Sequence, residues 1–475
     1  MIMQRYRLLI LSLFVLLIGC STPSTLVELK NTTTTPSKFF EGEANNKQDS
    51  LQWDVILNDP ILKALIDTAI QNNKELQLAY QKIELARNQR QLTKGNLLPQ
   101  LSVATSGAVR KFGLYTMDGA GNIATEMTPG KMVPIDLPDM YVGLQSTWEV
   151  DIRGRLKNLD KAALSKFFAS QEGYKFVVSS LAADVALSYY ELLALDNELI
   201  VTRENAKKEN EVLAFVKAQK EVGKVNELAV QQFTAQYYNL SILEKEILQN
   251  IRKEENRLNF LLGRYPTAIE RNRSSLYAQN QLLSKGIPSS VLENRPDIKA
   301  ASLQITASKF DLNAAKAAFY PSFTLNLGYG LQAFNANYFF RSPESIAYNT
   351  IGSLVAPLVN RAAIKSQFNT AKTNQIEAML NYQQTILDAY VDVVNDFTEI
   401  DHLEEIKQLT SLKSSSFEKA VESSFELYKA ARVPYYDVLL SQQNALQTNI
   451  ELILLHKRSK HSLVRLFKNL GGRWQ

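Results

Sequence analysis

The sequence predicts an α+β fold made of two copies of one half, each pairing short strands with very long helices. Three observations carry this reading. The segment NLLPQLSV at 96–103 returns as AFYPSFTL at 318–325, and the stretch that follows each copy ends in LLG at 261–263 and NLG at 469–471. The copies lie 222 residues apart at the proline and 208 apart at the terminal glycine, far beyond the roughly 20–50 residues of a solenoid unit. They are a duplicated half-domain. Proline is absent between Pro138 and Pro266 and between Pro357 and Pro434, and glycine is absent between Gly352 and Gly471. Helix interiors exclude both residues, so these gaps predict exceptional helices. Before each gap, apolar and polar residues alternate with the period of two that marks a strand with unlike faces.

The chain opens on a targeting segment. Arg5 and Arg7 precede the apolar run 8–18, too short to span a membrane, and Gly19-Cys20 follows. Residues 1–19 read as a signal peptide, with Leu17-Ile18-Gly19-Cys20 resembling the bacterial lipobox, in which the cysteine is acylated. Cys20 is the only cysteine, so disulfides within the chain and thiolate metal sites are excluded. Several acyl chains on one residue anchor a terminus stably. In the resembled lipoproteins the residue after the cysteine sorts between membranes, and Ser21, where an aspartate would retain the protein at the inner membrane, points to the outer one. Residues 20–50, rich in Ser, Thr and Asn, read as a lipidated tether. No later segment reads as apolar enough for a membrane helix.

The first repeat covers 51–265, with strands at about 101–112 and 140–150 and helices at about 155–221 and 226–262. A linker at 266–292 leads to the second repeat, 293–475, with strands at about 322–332 and 349–357 and helices at about 361–430 and 434–468. A helix over 361–430 would run about 105 Å at 1.5 Å per residue. Its apolar positions from Phe397 to Tyr428 recur about every 3.4 residues, close to a coiled-coil seam, and the returning helix is the nearest partner. Each helix pair turns at a short tip, Val222-Gly223-Lys224-Val225 in one half and Ala430-Ala431-Arg432-Val433-Pro434 in the other.

In 323–331, Phe323, Leu325, Leu327, Tyr329 and Leu331 face one way, and Thr324, Asn326, Gly328 and Gly330 the other. That pattern fits a membrane β-strand with a lipid side and a lumen side; a soluble sandwich sheet is the alternative. Four strands cannot close a barrel, and an open edge in lipid leaves backbone groups unpaired. A spanning sheet therefore requires several chains, and three would give twelve strands.

The segments WEVDIRGRL (148–156), ENRPDIKAASLQ (293–304) and AAKAAFYPSFTL (314–325) resemble the signature segments of the outer membrane factor family. This is the TolC-like group, in particular its lipoprotein branch serving RND-type tripartite efflux systems. The resemblance runs from about 51 to 475. It implies a homotrimer with a 12-stranded transmembrane β-barrel, four strands per chain, continued by a long α-helical periplasmic barrel. An equatorial band including 266–292 would wrap the middle. The expected function is a passive exit duct for drugs or other small molecules, lipid-anchored in the outer membrane and projecting into the periplasm. Its partners would be a periplasmic adaptor, an inner-membrane pump reached through that adaptor, and outer-membrane lipid. Alternatives are the exit duct of a type I protein secretion system and a structural coiled-coil lipoprotein without a pore.

The resemblance also places the sites. In the family a tyrosine and aspartates just after the second tip narrow the periplasmic aperture; the matching residues are Tyr428 and Asp437, while a second aspartate position is filled by Leu440. Asp437 also reads as a first-turn carboxylate favoured by the helix dipole. The tips, with Val222, Gly223, Lys224, Val225, Ala431, Arg432 and Val433, would dock the adaptor's hairpin. Alanine at 431 stands where glycine is usual, and a left-handed alanine costs about 1 kcal/mol, so the second tip is expected to close differently from the first.

Catalysis and cofactors are not expected. His402, His456 and His461 fall in no metal-ligand or triad pattern, and no nucleotide-binding loop or metalloprotease motif is present. A net charge of +5 over 475 residues gives no nucleic-acid signal. Met117, Met127, Met132 and Met140 cluster at the first hairpin loop; thioethers bind soft metal ions, but loop packing accounts for them and no metal site is assigned.

Overall fold

The computed structural model describes residues 23–27, 35–40, 59–278, 289–356, 361–472 and 474. Cys20, the signal peptide and most of the tether lie outside the described residues. In chain order the elements are α1 (Pro60–Asn72), α2 (Lys74–Gly95), β1 (Gln100–Lys111), α3 (Met117–Ala124), β2 (Glu126–Thr128), β3 (Lys131–Met132) and β4 (Asp136–Val150). The long helices α4 (Arg155–Glu221) and α5 (Glu227–Leu261) follow. The second copy has α6 (Pro296–Ala317), β5 (Ser322–Ala333), β6 (Ile346–Val355), α7 (Ala362–Lys429) and α8 (Tyr435–Asn469). Two 3-10 turns, Arg273–Tyr277 and Ser289–Asn294, fall in the linker region.

Two compact units divide the chain, and each draws on both repeats. One holds Leu85–Phe168 and Leu303–Leu380, the other Asn31–Glu84, Ala169–Ser302 and Asn381–Gln475; residues 23–27 belong to the first.

The first unit is built on an antiparallel sheet of order β1-β4-β5-β6. Opposed residues share a face, so the register sorts the side chains. Val103 faces Leu144, Leu144 faces Tyr329 and Tyr329 faces Tyr348; Trp148 faces Leu325, and Phe323 faces Leu354. These form one apolar surface across all four strands, much of it exposed, with Val103 76% and Tyr348 80% accessible. The opposite face carries Ser102, Gln145, Thr147, Thr324, Asn326 and Ser353, and Thr147 Oγ1 lies 3.0 Å from Asn326 Oδ1 across it. On that face Gly143 stands opposite Gly330. A Cβ on Gly143 would come 2.6 Å from the Gly330 Cα, so the pair admits no side chain. The hairpin between β1 and β4 carries α3 and the β2–β3 ribbon, structure that the turn-rich sequence there did not announce.

The strand-to-helix turn after β4 is held by carboxylates. Glu149 takes a forked contact from Arg155, 2.7 and 2.9 Å at Nη2. Asp151 accepts the first free amides of α4, from Leu156 at 3.0 Å and Lys157 at 2.8 Å, which satisfies orphan donors and places a negative charge at the positive end of the helix. Arg153 lies 4.5 Å over the Tyr320 ring. Val27, from the described N-terminal stretch, packs on Leu312, Phe319 and Phe368.

The second unit holds the main core. Leu62 and Ile66 of α1, Tyr189, Leu192 and Leu193 of α4, Leu258 of α5 and Phe467 of α8 are buried together. Part of α4 is apolar and long enough to cross a membrane by composition, contrary to expectation from the sequence, yet 61% of that window is buried inside the fold; it is a core helix. Tyr189 donates its hydroxyl to Asp59, the N-cap of α1, at 2.9 Å. Arg271 grips Asp196 at 2.6 and 2.9 Å and Glu255 at 2.6 Å. These bonds raise its pKa further and fix the linker start on α4 and α5. The stretch 35–40 is also anchored here: Phe39 stacks on Tyr390 at 5.1 Å, and Ser289 binds the Ser37 carbonyl at 3.2 Å.

Short helices extend long ones at two junctions. Gly263 ends α5 with φ +68°, and Asn73 Nδ2 reaches the Leu261 carbonyl at 2.9 Å just where α2 begins. Gly471 ends α8 with φ +80°, and Arg295, preceding α6, donates to the Asn469 carbonyl at 2.9 Å. The two copies solve the junction with different side chains, an amide in one and a guanidinium in the other.

Candidate functional site at the paired helix tips

The turn from α4 to α5 and the turn from α7 to α8 pack side by side in the second unit. Val212, Leu213 and Val216 of α4, Ala229, Val230 and Phe233 of α5 and Leu439 of α8 form a buried cluster, with Phe425 and Tyr435 against it.

Both tips close by one device. At the first, the Gly223 amide donates to Lys220 O and the Lys224 amide to Gln219 O, each at 2.9 Å. At the second, the Ala431 amide donates to Tyr428 O and the Arg432 amide to Leu427 O, also at 2.9 Å. This is the Schellman motif, with its left-handed residue at Gly223 or Ala431, and it ties off the last helical carbonyls. Ala431 adopts φ +53°, the one positive φ outside glycine among the described residues. The expectation that alanine changes the turn is therefore corrected: two well-placed hydrogen bonds and the packed tip outweigh its cost of about 1 kcal/mol.

The helix starts differ. Asn226 caps α5, its side chain accepting from Ala229 N at 3.1 Å, and Lys220 pairs with Glu227 across the turn. At the second tip Pro434 is the N-cap with no side-chain bond. Its fixed φ presets the helix start.

Between the tips lies a cleft of about 760 Å³. Lys224 and Val225 enter from the first tip, and Ala431, Arg432 and Val433 from the second. Tyr428 also lines it, and sequence reasoning missed Phe215, Gln219, Asn226, Lys429 and Tyr435; for Phe215, Lys429 and Tyr435 the only signal was position, an aromatic or cation within two helical turns of each tip. The Tyr428 ring meets Phe215 edge-on at 6.4 Å. Its hydroxyl is shielded from solvent and has no hydrogen-bond partner among the described residues, and burial raises its pKa. Asp437 sits in the first turn of α8, its amide bonded to Pro434 O at 3.2 Å. Leu440 is exposed one turn on. Val222 is exposed at the extreme turn.

His402 is exposed, and the other two histidines belong to the packing. His461 Nε2 lies 3.0 Å from Leu187 O, and His456 meets the Tyr277 ring edge-on at 4.9 Å; burial lowers the pKa of both. Met117 is 88% exposed, so loop packing does not account for it.

A four-stranded sheet with one apolar face, a polar face floored by glycine and terminal strands paired on one side only among the described residues, together with helices of 67 and 68 residues, is the architecture of an outer-membrane channel protein. The chain belongs to the outer membrane efflux protein family, whose profile matches residues 65–264 and 287–472. It is 28% identical over 431 residues to the probable outer membrane lipoprotein SilC of Salmonella typhimurium, covering 90% of this chain and 89% of that one. It is 27% identical over 432 residues to the cation efflux system protein CusC of Escherichia coli strain K12, covering 90% of each. A crystal structure of CusC superposes with a TM-score of 0.80 at 25% identity, covering 93% of this chain and 99% of that one. The fold is that of the TolC-like channels, and the protein is an efflux channel component of the outer membrane.

Proposed function

We propose that three copies of this chain form one passive exit duct, anchored to the outer membrane through an acylated Cys20 and docked through its tips on a periplasmic adaptor that links it to an inner-membrane pump. The observation that supports this most is the sheet. Its apolar face covers all four strands, and its terminal strands β1 and β6 are free to pair. Lipid leaves no backbone group unpaired at low cost, so the sheet is complete only when β6 of one copy meets β1 of the next. With strand directions alternating across the sheet, that seam is antiparallel, like the three inside each chain.

The chain's own residues contribute shape and charge, and energy comes from the pump. Tyr428 and Asp437 narrow the periplasmic aperture in this reading. Three copies of Asp437 around an axis form a ring that favours cations. Small molecules pass without tight binding.

Conductance of the purified protein in a planar bilayer tests the reading. Small openings that favour cations, with the preference lost in Asp437→Asn, are expected. An inserted protein that never conducts, even with the tips loosened by Tyr428→Ala, would instead favour a structural lipoprotein.

A further inference from the structure

The cleft between the tips has a one-sided charge. Its lining holds Lys224, Lys429 and Arg432 and no aspartate or glutamate. Lys429 is occupied, bonded to Glu426 at 2.9 Å and lying 4.3 Å over the Phe425 ring. Lys224, from the first tip, and Arg432, from the second, are exposed and make no ion pair among the described residues. Gln219 and Asn226 add neutral amides to the lining, the Asn226 oxygen being spent on Ala229 N at 3.1 Å, and the Tyr428 hydroxyl is sheltered and without a partner among the described residues. A buried hydroxyl left unpaired is destabilising, and an arriving acceptor relieves that. Phe215 and Tyr435 supply apolar walls.

Two uncommitted cations from different turns and one idle donor around a single aromatic-walled cleft are complementary to a carboxylate carried on an apolar segment. We propose that this cleft receives an acidic side chain, a glutamate or aspartate on the docking hairpin of the adaptor, with Lys224 and Arg432 as its counter-charges and the Tyr428 hydroxyl donating to it. The inference rests on the reading that the tips dock an adaptor, and it specifies the chemistry that the adaptor must present. A hairpin with lysine or arginine at that position would be rejected by like charge, the repulsive half of partner choice. The lysine and arginine are exposed, so the contribution to affinity depends on salt and acts strongly on the association rate.

The probes are three designed helical hairpins, identical except for glutamate, glutamine or lysine at the turn. Binding to the full-length protein in lipid nanodiscs is measured at low and physiological salt. The glutamate hairpin is expected to bind at least tenfold more tightly than the glutamine one at low salt, with the gap closing as salt rises. Lys224→Glu with Arg432→Glu should reverse the order, so that the lysine hairpin binds best. Lys253→Glu, an exposed change on α5, controls for general charge. Equal binding of glutamate and glutamine hairpins, binding of none, or an unaltered order in the reversed variant overturns the proposal. A photo-reactive residue at Val433 in cells separates this from failure of the docking reading. Capture of a helical-hairpin adaptor, identified by mass spectrometry, together with indifferent hairpin charge sinks the carboxylate alone; absence of any adaptor sinks the docking itself.

Discussion

Ala431 holds the left-handed backbone that Gly223 holds 208 residues earlier, with φ of +53° and +72° and the same pair of capping hydrogen bonds. The interval between Gly263 and Gly471 is also 208. The duplication is thus kept to the residue at both ends of the helical hairpin, while the intervals near the sheet have drifted.

Ala431→Gly should relieve the strain and slow opening of the second tip. A gain of about 1 kcal/mol is expected, read as slower amide hydrogen exchange at Arg432. Gly223→Ala should cost a similar amount at Lys224. Unchanged exchange in both would mean that the tip bonds do not limit local opening.

Glu209 is 2% exposed in α4, its Oε1 has no partner among the described residues, and burial pushes its pKa up to about 7. The fold therefore prefers the neutral acid over the ordinary value of 4.5. Stability is full below about pH 4.5 and falls as pH rises toward about 7. The loss approaches about 3 kcal/mol. Glu209→Gln should flatten denaturant midpoints across that window; parallel wild-type and variant curves would refute the assignment.

Arg271 pairs with two buried carboxylates, Asp196 and Glu255, 5% and 6% exposed. Arg271→Met should cost about 3 kcal/mol, because it leaves Asp196 only the exposed Arg273 at 3.6 Å and Glu255 only the exposed Arg252 at 3.1 Å. Replacing all three by apolar residues of similar size should recover most of it. Thermal unfolding compares the variants, and a mild effect of the single change would show that water reaches the site.

Gly143 and Gly330 leave no room for a Cβ between β4 and β5. Gly143→Val should block barrel formation while leaving the helical unit folded. The check is heat-modifiable gel mobility beside circular dichroism: loss of the former with helicity kept is expected, and a normal heat-modifiable species would contradict the crowding.

The long helices were legible because exclusion of proline and glycine over dozens of residues has few other causes, and the strands because lipid and lumen demand opposite chemistry from neighbouring residues. The helices α1, α2 and α6 were not read from the sequence. Leu76, Ala79 and Ile83 of α2 are buried while Leu78, Leu85 and Leu92 are exposed, so its apolar residues fall on two faces and give no single periodic stripe. The tips were found as turns, but the cleft was not, since it arises from two turns 208 residues apart packing through Leu439 and Val216. No local pattern encodes that meeting. The choice of Asn73 at one junction and Arg295 at the other was equally hidden, because either can reach a terminal carbonyl.

The two free sheet edges have a genetic consequence. If three copies close one ring as proposed, each chain supplies both halves of the seam, β6 and β1, and the ring closes only if every rim is sound. A copy with one blocked edge still joins through the other and then ends the ring. Mixed with wild type in equal amount, such a copy would leave about an eighth of rings intact, so damage to β1 or β6 should be inherited as dominant interference, whereas damage that unfolds the whole chain should be recessive.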